Sequence, residues 1–255
     1  MLNLIYVFMI IFCYFIILFI IGQILNNNSI VDIFWGMGFV LTAWTTFALG
    51  SKGMIALLTT LLVTIWGVRL TYHIGKRNIG KPEDFRYVNF RKLWGKKFPR
   101  IKAFFHVYML QMVFLLMISS GFMFINLNKM MDITTLSLVG LVVWFTGFLF
   151  ETVGDHQLQS FKSNQNNKGK LLVTGLYRYT RHPNYFGESL MWWGIFIMAL
   201  SFDYAWVTIL SPITITLLVR FVSGVPMLEK HYKDRADYQD YARKTSIFFP
   251  WFPKK

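Results

Sequence analysis

The residues best suited to chemistry stand where polar segments run into apolar ones. From Thr174 the chain passes through Arg178, Arg181-His182-Pro183-Asn184-Tyr185 and Glu188, then enters the apolar Leu190-Met191-Trp192-Trp193. Pro183 marks a helix start, because its missing N–H would have no intrahelical partner there. On that helix Asn184 and Glu188 are four apart and share a face. Glu188 lies one turn inside the apolar run, where a carboxylate is costly without a cation or hydrogen-bond donor. Arg178, Arg181 and His182 offer donors to an anion such as a phosphate. They equally suit a positive flank on a membrane helix, with Tyr185 as an interfacial anchor. Both readings stand on these residues alone.

A second acidic pair, Glu151 and Asp155, is also spaced i,i+4, and Gln157 and Lys162 follow it. Like charges on one helical face repel. They are tolerable at a wet helix end, or where they accept from ribose hydroxyls or an adenine amine. Asp32 opens the second apolar run, where it serves either as a group complementing the helix dipole or as a buried acid. Arg69 is the nearest intramembrane cation in the sequence, and Tyr72 follows it by three residues. In the tail, Glu229, Tyr232 and Tyr238 accompany alternating charges that suit an exposed helix. The histidines are scattered, so no metal site is expected. Dinucleotide and phosphate-loop glycine motifs are absent from the sequence.

The elements that must position these groups are membrane helices. Of 255 residues, 55% are hydrophobic and 15% charged, against roughly 25% charged in an average soluble domain. The chain carries 26 Lys and Arg against 12 Asp and Glu, but the excess is confined to segments between long uncharged runs. That distribution argues against a nucleic-acid partner. Apolar runs of spanning length predict an all-α bundle of about seven transmembrane helices, near 2–25, 33–50, 53–71, 104–127, 133–154, 185–201 and 204–221. The last two are expected to be short and broken at Asp203 and Pro212. No basic stretch precedes the first run, so it reads as a retained span rather than a cleaved signal.

The reading is one transmembrane domain over 1–255, with three cytoplasmic polar parts: a basic loop at 71–103, a loop at 155–184 and a C-terminal segment at 222–255. Their Lys and Arg excess places them inside, with the N-terminus outside and short links at Gly50–Gly53, Asn128–Asp132 and Ser201–Asp203.

Taken together, Gly175 to Glu188, Asp155 upstream and the Asp237-Tyr238…Pro250-Trp251-Phe252 ending resemble the C-terminal half of the steroid 5-alpha-reductase family. Ser29-Ile30-Val31-Asp32-Ile33-Phe34-Trp35-Gly36, Trp66-Gly67-Val68-Arg69-Leu70, Arg77-Asn78 and Glu83-Asp84-Phe85-Arg86-Tyr87 are similar to its bacterial branch. The resemblance implies an integral protein of a bacterial inner (cytoplasmic) membrane that holds NADPH and delivers hydride to the C=C of a lipid-like enone. It further implies cofactor contacts from Glu151, Asp155, Gln157, Lys162, Arg178, Arg181, His182, Asn184, Tyr185, Glu188, Tyr232 and Tyr238. Asp32, with Arg69 and Tyr72, would serve catalysis. Where the animal enzymes carry Gln-Glu in the second span, this chain has Val31-Asp32, and their third-span Tyr falls nearest Leu70, with Tyr72 offset.

The Arg181-His182-Pro183-x-Tyr185-x-Gly187 signature with Glu229 is also similar to the isoprenylcysteine carboxyl methyltransferases, which bind S-adenosylmethionine. Both cofactors contain adenosine, so this motif does not choose between them. A non-catalytic membrane protein that contacts anionic lipid is the third alternative, since basic loops commonly do this.

Overall fold

The computed structural model describes residues 2–129 and 132–254. Of the expected link Asn128–Asp132, residues 130 and 131 lie outside the described residues. Among the described residues the chain is helical and has no strand, as the composition predicts. Contacts divide it into two compact units, Met1–Ile133 and Thr134–Lys255.

The first unit contains α1 (Leu2–Ile24), the single turn α2 (Ile30–Ile33), α3 (Trp35–Leu49), α4 (Met54–Asn78), α5 (Phe85–Trp94) and α6 (Pro99–Leu127). In α1, which has no charge at either end, Val7, Ile11, Phe15, Leu18 and Gly22 form the buried stripe. Their spacing of three and four residues keeps one face inward, while Leu4, Phe8 and Ile17 face outward. Helix α3 meets α4 at Gly36 and Gly67, where a Cβ on Gly36 would stand 2.3 Å from the Gly67 carbonyl oxygen. At the other end of α3 the buried Asn126 amide of α6 reaches the Ala43 carbonyl at 3.1 Å, Thr46 Oγ1 at 2.9 Å and Thr60 Oγ1 at 3.1 Å. This joins three helices in a setting without competing water.

The second unit contains α7 (Thr135–Ser163), α8 (Pro183–Ala199), the run α9 (Ala205–Tyr232) and α10 (Ala236–Lys244). Thr134 and Ser137 form a capping box at the start of α7, satisfying two donors that the first turn would leave open. Pro183 occupies the first turn of α8, as its chemistry predicts. Within α9 the ladder widens to a π-turn at Leu218–Val222.

Helices α7 and α8 touch backbone to backbone. Gly140, Gly147 and Gly154 recur every seven residues on α7, and Gly187 and Gly194 do so on α8. A Cβ on Gly147 would lie 2.6 Å from the Gly187 carbonyl oxygen, and one on Gly194 would lie 2.7 Å from that of Gly140. A seven-residue repeat keeps such a stripe facing its partner along the whole contact. Small residues allow the close approach that packs transmembrane helices in the absence of a hydrophobic drive.

All seven expected apolar segments are helical, and α1, α4, α6, α7 and α9 are long and apolar enough to cross a membrane. Helices α3 and α8 are shorter, at 15 and 17 residues. The chain is a polytopic integral membrane protein.

Replacing Gly147 with Leu forces the α7–α8 contact apart and is expected to cost about 3 kcal/mol. Gly80→Ala introduces a Cβ with nothing within 4 Å at φ +76°, so only backbone strain of about 1 kcal/mol is expected. Thermal unfolding in detergent compares the two; equal melting temperatures would remove the seam from its structural role.

Candidate functional site

Each unit gathers polar side chains at its helix ends. In the first unit a cluster forms around Asp32, which the turn α2 presents at the N-terminal side of α3. Arg86 Nη2 stands 2.5 Å from Asp32 Oδ2, and the Tyr87 hydroxyl donates to Asp32 Oδ1 at 2.6 Å. Gln111 Nε2 of α6 donates to the same Tyr87 oxygen at 3.2 Å. Tyr87 is 4% exposed, so the phenol is held between an acceptor and a donor away from solvent.

The loop that carries Arg86 and Tyr87 is sewn onto the turn before Asp32. Ser29 Oγ accepts from the Asp84 amide at 2.7 Å, and Glu83 Oε1 accepts from the Asn28 amide at 2.7 Å. Arg91 grips Glu83 with two bonds of 3.0 Å. Asp84 caps α5 by accepting the Arg86 amide and also receives Arg86 Nε, both at 2.9 Å.

Burial and these contacts pull the Asp32 carboxyl in opposite directions. Burial pushes the Asp32 carboxyl above the ordinary carboxylate range, and this outweighs the opposing pull of Arg86 and the Tyr87 hydrogen bond; Asp84 adds to the rise. Burial likewise raises the Tyr87 phenol well above its ordinary value, and the Asp32 charge adds to it. Asp84 is lowered, because the Arg86 hydrogen bonds and charge overcome its own partial burial.

Of the catalytic residues expected from sequence, Asp32 is thus in a polar cluster, with the Arg86 guanidinium set against it. The phenol at Asp32 is that of Tyr87, while Tyr72 is 68% exposed on α4. Arg86 and Tyr87 lie in a motif visible in the sequence. Their pairing with a residue more than fifty positions away has no local signature.

In the second unit the α7–α8 seam places the expected cofactor residues. Where Gly154 crosses the start of α8, a Cβ would lie 3.2 Å from the Asn184 amide. There Asn184 Nδ2 donates to Asp155 Oδ1 at 3.1 Å. Glu151, one turn earlier on α7, is buried, and Glu188 is half-buried one turn later on α8. Gln157 Oε1 accepts the Leu176 amide at 3.0 Å and fills the space beside Gly175, whose φ of +63° starts the short turn leading to Arg178. Lys162 and Arg178 are exposed.

Arg181, His182 and Tyr238 converge on Glu229. Arg181 Nε and Nη2 donate to its two oxygens at 3.0 Å each, His182 Nε2 lies 2.9 Å from Oε1, and the Tyr238 hydroxyl donates to Oε1 at 2.5 Å. Arg181 Nη1 also donates to the Ala242 carbonyl at 2.7 Å and that of Thr245 at 3.0 Å. Burial lowers the His182 imidazole despite the opposing pull of Glu229, so a neutral ring with the proton on Nε2 satisfies the contact.

The tail follows the same strip of chain: the Arg181 amide donates to the Ser246 carbonyl at 2.9 Å and Thr180 Oγ1 to that of Phe248 at 2.9 Å. Tyr185 stacks on His182 at 5.8 Å and Tyr232 on Tyr238 at 5.3 Å. Beside this hub lies a shallow cleft of about 380 Å³ lined by Glu229, Lys230, Lys233, Tyr238, Gln239 and Ala242. Glu229 was legible in the sequence as part of the histidine signature; its role as the shared acceptor was not.

Comparison with known proteins places this geometry in context. The chain is 24% identical over 268 residues to an uncharacterized protein of Schizosaccharomyces pombe, covering 91% of this chain and 77% of that one. It is 33% identical over 64 residues to human 3-oxo-5-alpha-steroid 4-dehydrogenase 1, a match spanning 25% of each chain. No solved structure matches it significantly. A family model described as protein of unknown function (DUF1295) matches residues 18–245, and the chain therefore belongs to that family, which includes steroid 5-alpha-reductase-like proteins.

Proposed function

We propose that this protein is a membrane-embedded, NADPH-dependent reductase of a C=C bond in a lipid-like enone, working in a bacterial inner membrane. The observation that carries the reading is the Asn184–Asp155 bond across the glycine seam, at two positions that the resemblance assigns to the cofactor. The similarity to a human steroid dehydrogenase over a quarter of its length supports the reductase class.

The residues fit a nucleotide in their chemistry. Asp155, Glu151 and Glu188 are acceptors for ribose hydroxyls or a carboxamide, Asn184 adds an acceptor of its own, and the exposed Lys162 and Arg178 suit phosphates. Tyr185 is stacked on His182 and Tyr232 on Tyr238. Arg181, His182 and Tyr238 have a different part: their donors are occupied by Glu229 and by tail carbonyls, so they frame the site. When bound, NADPH supplies hydride, the chemistry no side chain can furnish. The Asp32 cluster handles the proton. Tyr87 Oη holds it, Asp32 and Gln111 orient the phenol, and the raised carboxyl keeps a proton within the cluster to higher pH than an ordinary aspartate would.

A nucleotide at one hundred times its dissociation constant stabilises its binder by about 2.7 kcal/mol. Thermal-shift assays of the purified chain are therefore expected to respond to NADPH more than to NADH, and not to S-adenosylmethionine. A response to S-adenosylmethionine alone would replace this reading with a methyltransferase, and no response to any of them would favour the lipid-binding alternative.

Two substitutions separate holding from framing. Asn184→Ala is expected to weaken NADPH binding with little loss of stability, whereas Glu229→Ala leaves Arg181 and Tyr238 without their acceptor and is expected to lower stability by about 3 kcal/mol. At the proton end, Asp32→Asn and Tyr87→Phe are expected to leave NADPH affinity intact and to lower kcat by roughly 10²–10⁴-fold. Turnover of the unaltered chain falls as pH rises through the raised Asp32 value, and Asp32→Asn removes that limb. Loss of NADPH affinity in either variant would overturn the division of roles.

A further inference from the structure

Helix α5 has two faces, and the Asp32 cluster accounts for only one of them. Its inner face carries Tyr87, with Arg86 and Arg91 turned to Asp32, Asp84 and Glu83. Its outer face carries Phe85 at 61% exposure and Leu93 at 81%, with the exposed Lys92 on the same side of the helix. The mixture continues past Gly95 into the exposed Lys96 and Lys97 and into Phe98, 62% exposed. Six residues separate Phe85 from the end of α4, and four separate Trp94 from the start of α6, so both ends of α5 are tied to membrane-crossing helices and it lies close to the bilayer surface.

Charge identifies what covers this face. Between Lys76 and Lys102 the chain has ten Lys and Arg and two acids, Glu83 and Asp84. Both acids are already engaged, by Arg91 and Arg86. The outward charge is therefore strongly positive, and it is interleaved with apolar side chains, a pattern that buries its apolar groups at the acyl boundary and places its lysines among anionic headgroups.

We propose that α5 docks on an anionic lipid leaflet through Phe85, Leu93 and Phe98 with Lys92, Lys96 and Lys97, and that this docking holds Arg86 and Tyr87 against Asp32. The second half rests on the role given above to the Asp32 cluster; the first does not.

The test places the full chain in nanodiscs of phosphatidylcholine alone, or with roughly one-third phosphatidylglycerol. Hydrogen exchange of the amides from Phe85 to Phe98 is then followed without nucleotide. Phosphatidylglycerol is expected to slow exchange about tenfold, and high salt or Leu93→Glu is expected to reverse the effect with the rest of the chain unchanged. Equal exchange in the two discs overturns the docking, as does protection in lipid-free detergent that grows with protein concentration, which would identify a second copy instead. Enone reduction with NADPH, measured in the same discs, is expected to rise with phosphatidylglycerol in the unaltered chain but not in Leu93→Glu. Lipid-dependent protection without any reductase activity leaves docking intact and removes the reductase reading. Activity indifferent to both lipid and Leu93→Glu removes the regulatory half.

Discussion

A carboxylate in a chain this apolar is stable only if donors meet it, and that requirement organises both units. Taking a charge out of water costs several kcal/mol even after relaxation, which a partner must offset. Asp32 is met by a guanidinium and a phenol. Glu229 is met by a bidentate arginine, an imidazole and a phenol. Asp155 receives an amide. The clusters differ in what is left over: around Glu229 the donors are consumed in joining α9, α10 and the tail, whereas around Asp32 burial outweighs charge and leaves the carboxyl raised, with the Tyr87 hydroxyl donating to it.

Close backbone contact makes the second unit's arrangement possible. Because no Cβ separates α7 from α8 at Gly147 and Gly187, side chains flanking the seam can hydrogen-bond across it. Larger residues there would widen the gap past the reach of Asn184 to Asp155. In the first unit the same end is reached with a strap: Glu83, Asp84 and Arg91 fasten the loop to Asn28 and Ser29, which fixes α5 and with it Tyr87. A helix that must place a phenol within 2.6 Å of an acid needs such fastening at its N-terminal end, because a ten-residue helix is not stable by itself.

The two units hold different kinds of polar group. Acceptors and exposed cations gather in the second; an acid–phenol pair with a buried phenol gathers in the first. One face of α5 completes the acid cluster, and the other is built of residue types that suit a lipid interface.

The sequence by itself determined the membrane class, the helices and the location of the polar ends, because hydrophobic length and charge segregation are local properties that a bilayer reads directly. It also marked Asp32, Asp155, Asn184 and Glu188 as acidic or amide groups at helix ends that need partners. Which partners they took was decided only in three dimensions. Arg86 is set against Asp32 and Tyr87 supplies a phenol, since a loop strapped back onto the turn at Asn28–Ser29 brings together residues more than fifty positions apart. Arg181 and His182, which read from sequence as donors for an anion, found an internal carboxylate in Glu229, because helix packing and the returning tail bring that acid within 3.0 Å. Spacing along a chain fixes which side chains share a helical face, but not which face of another element will meet them.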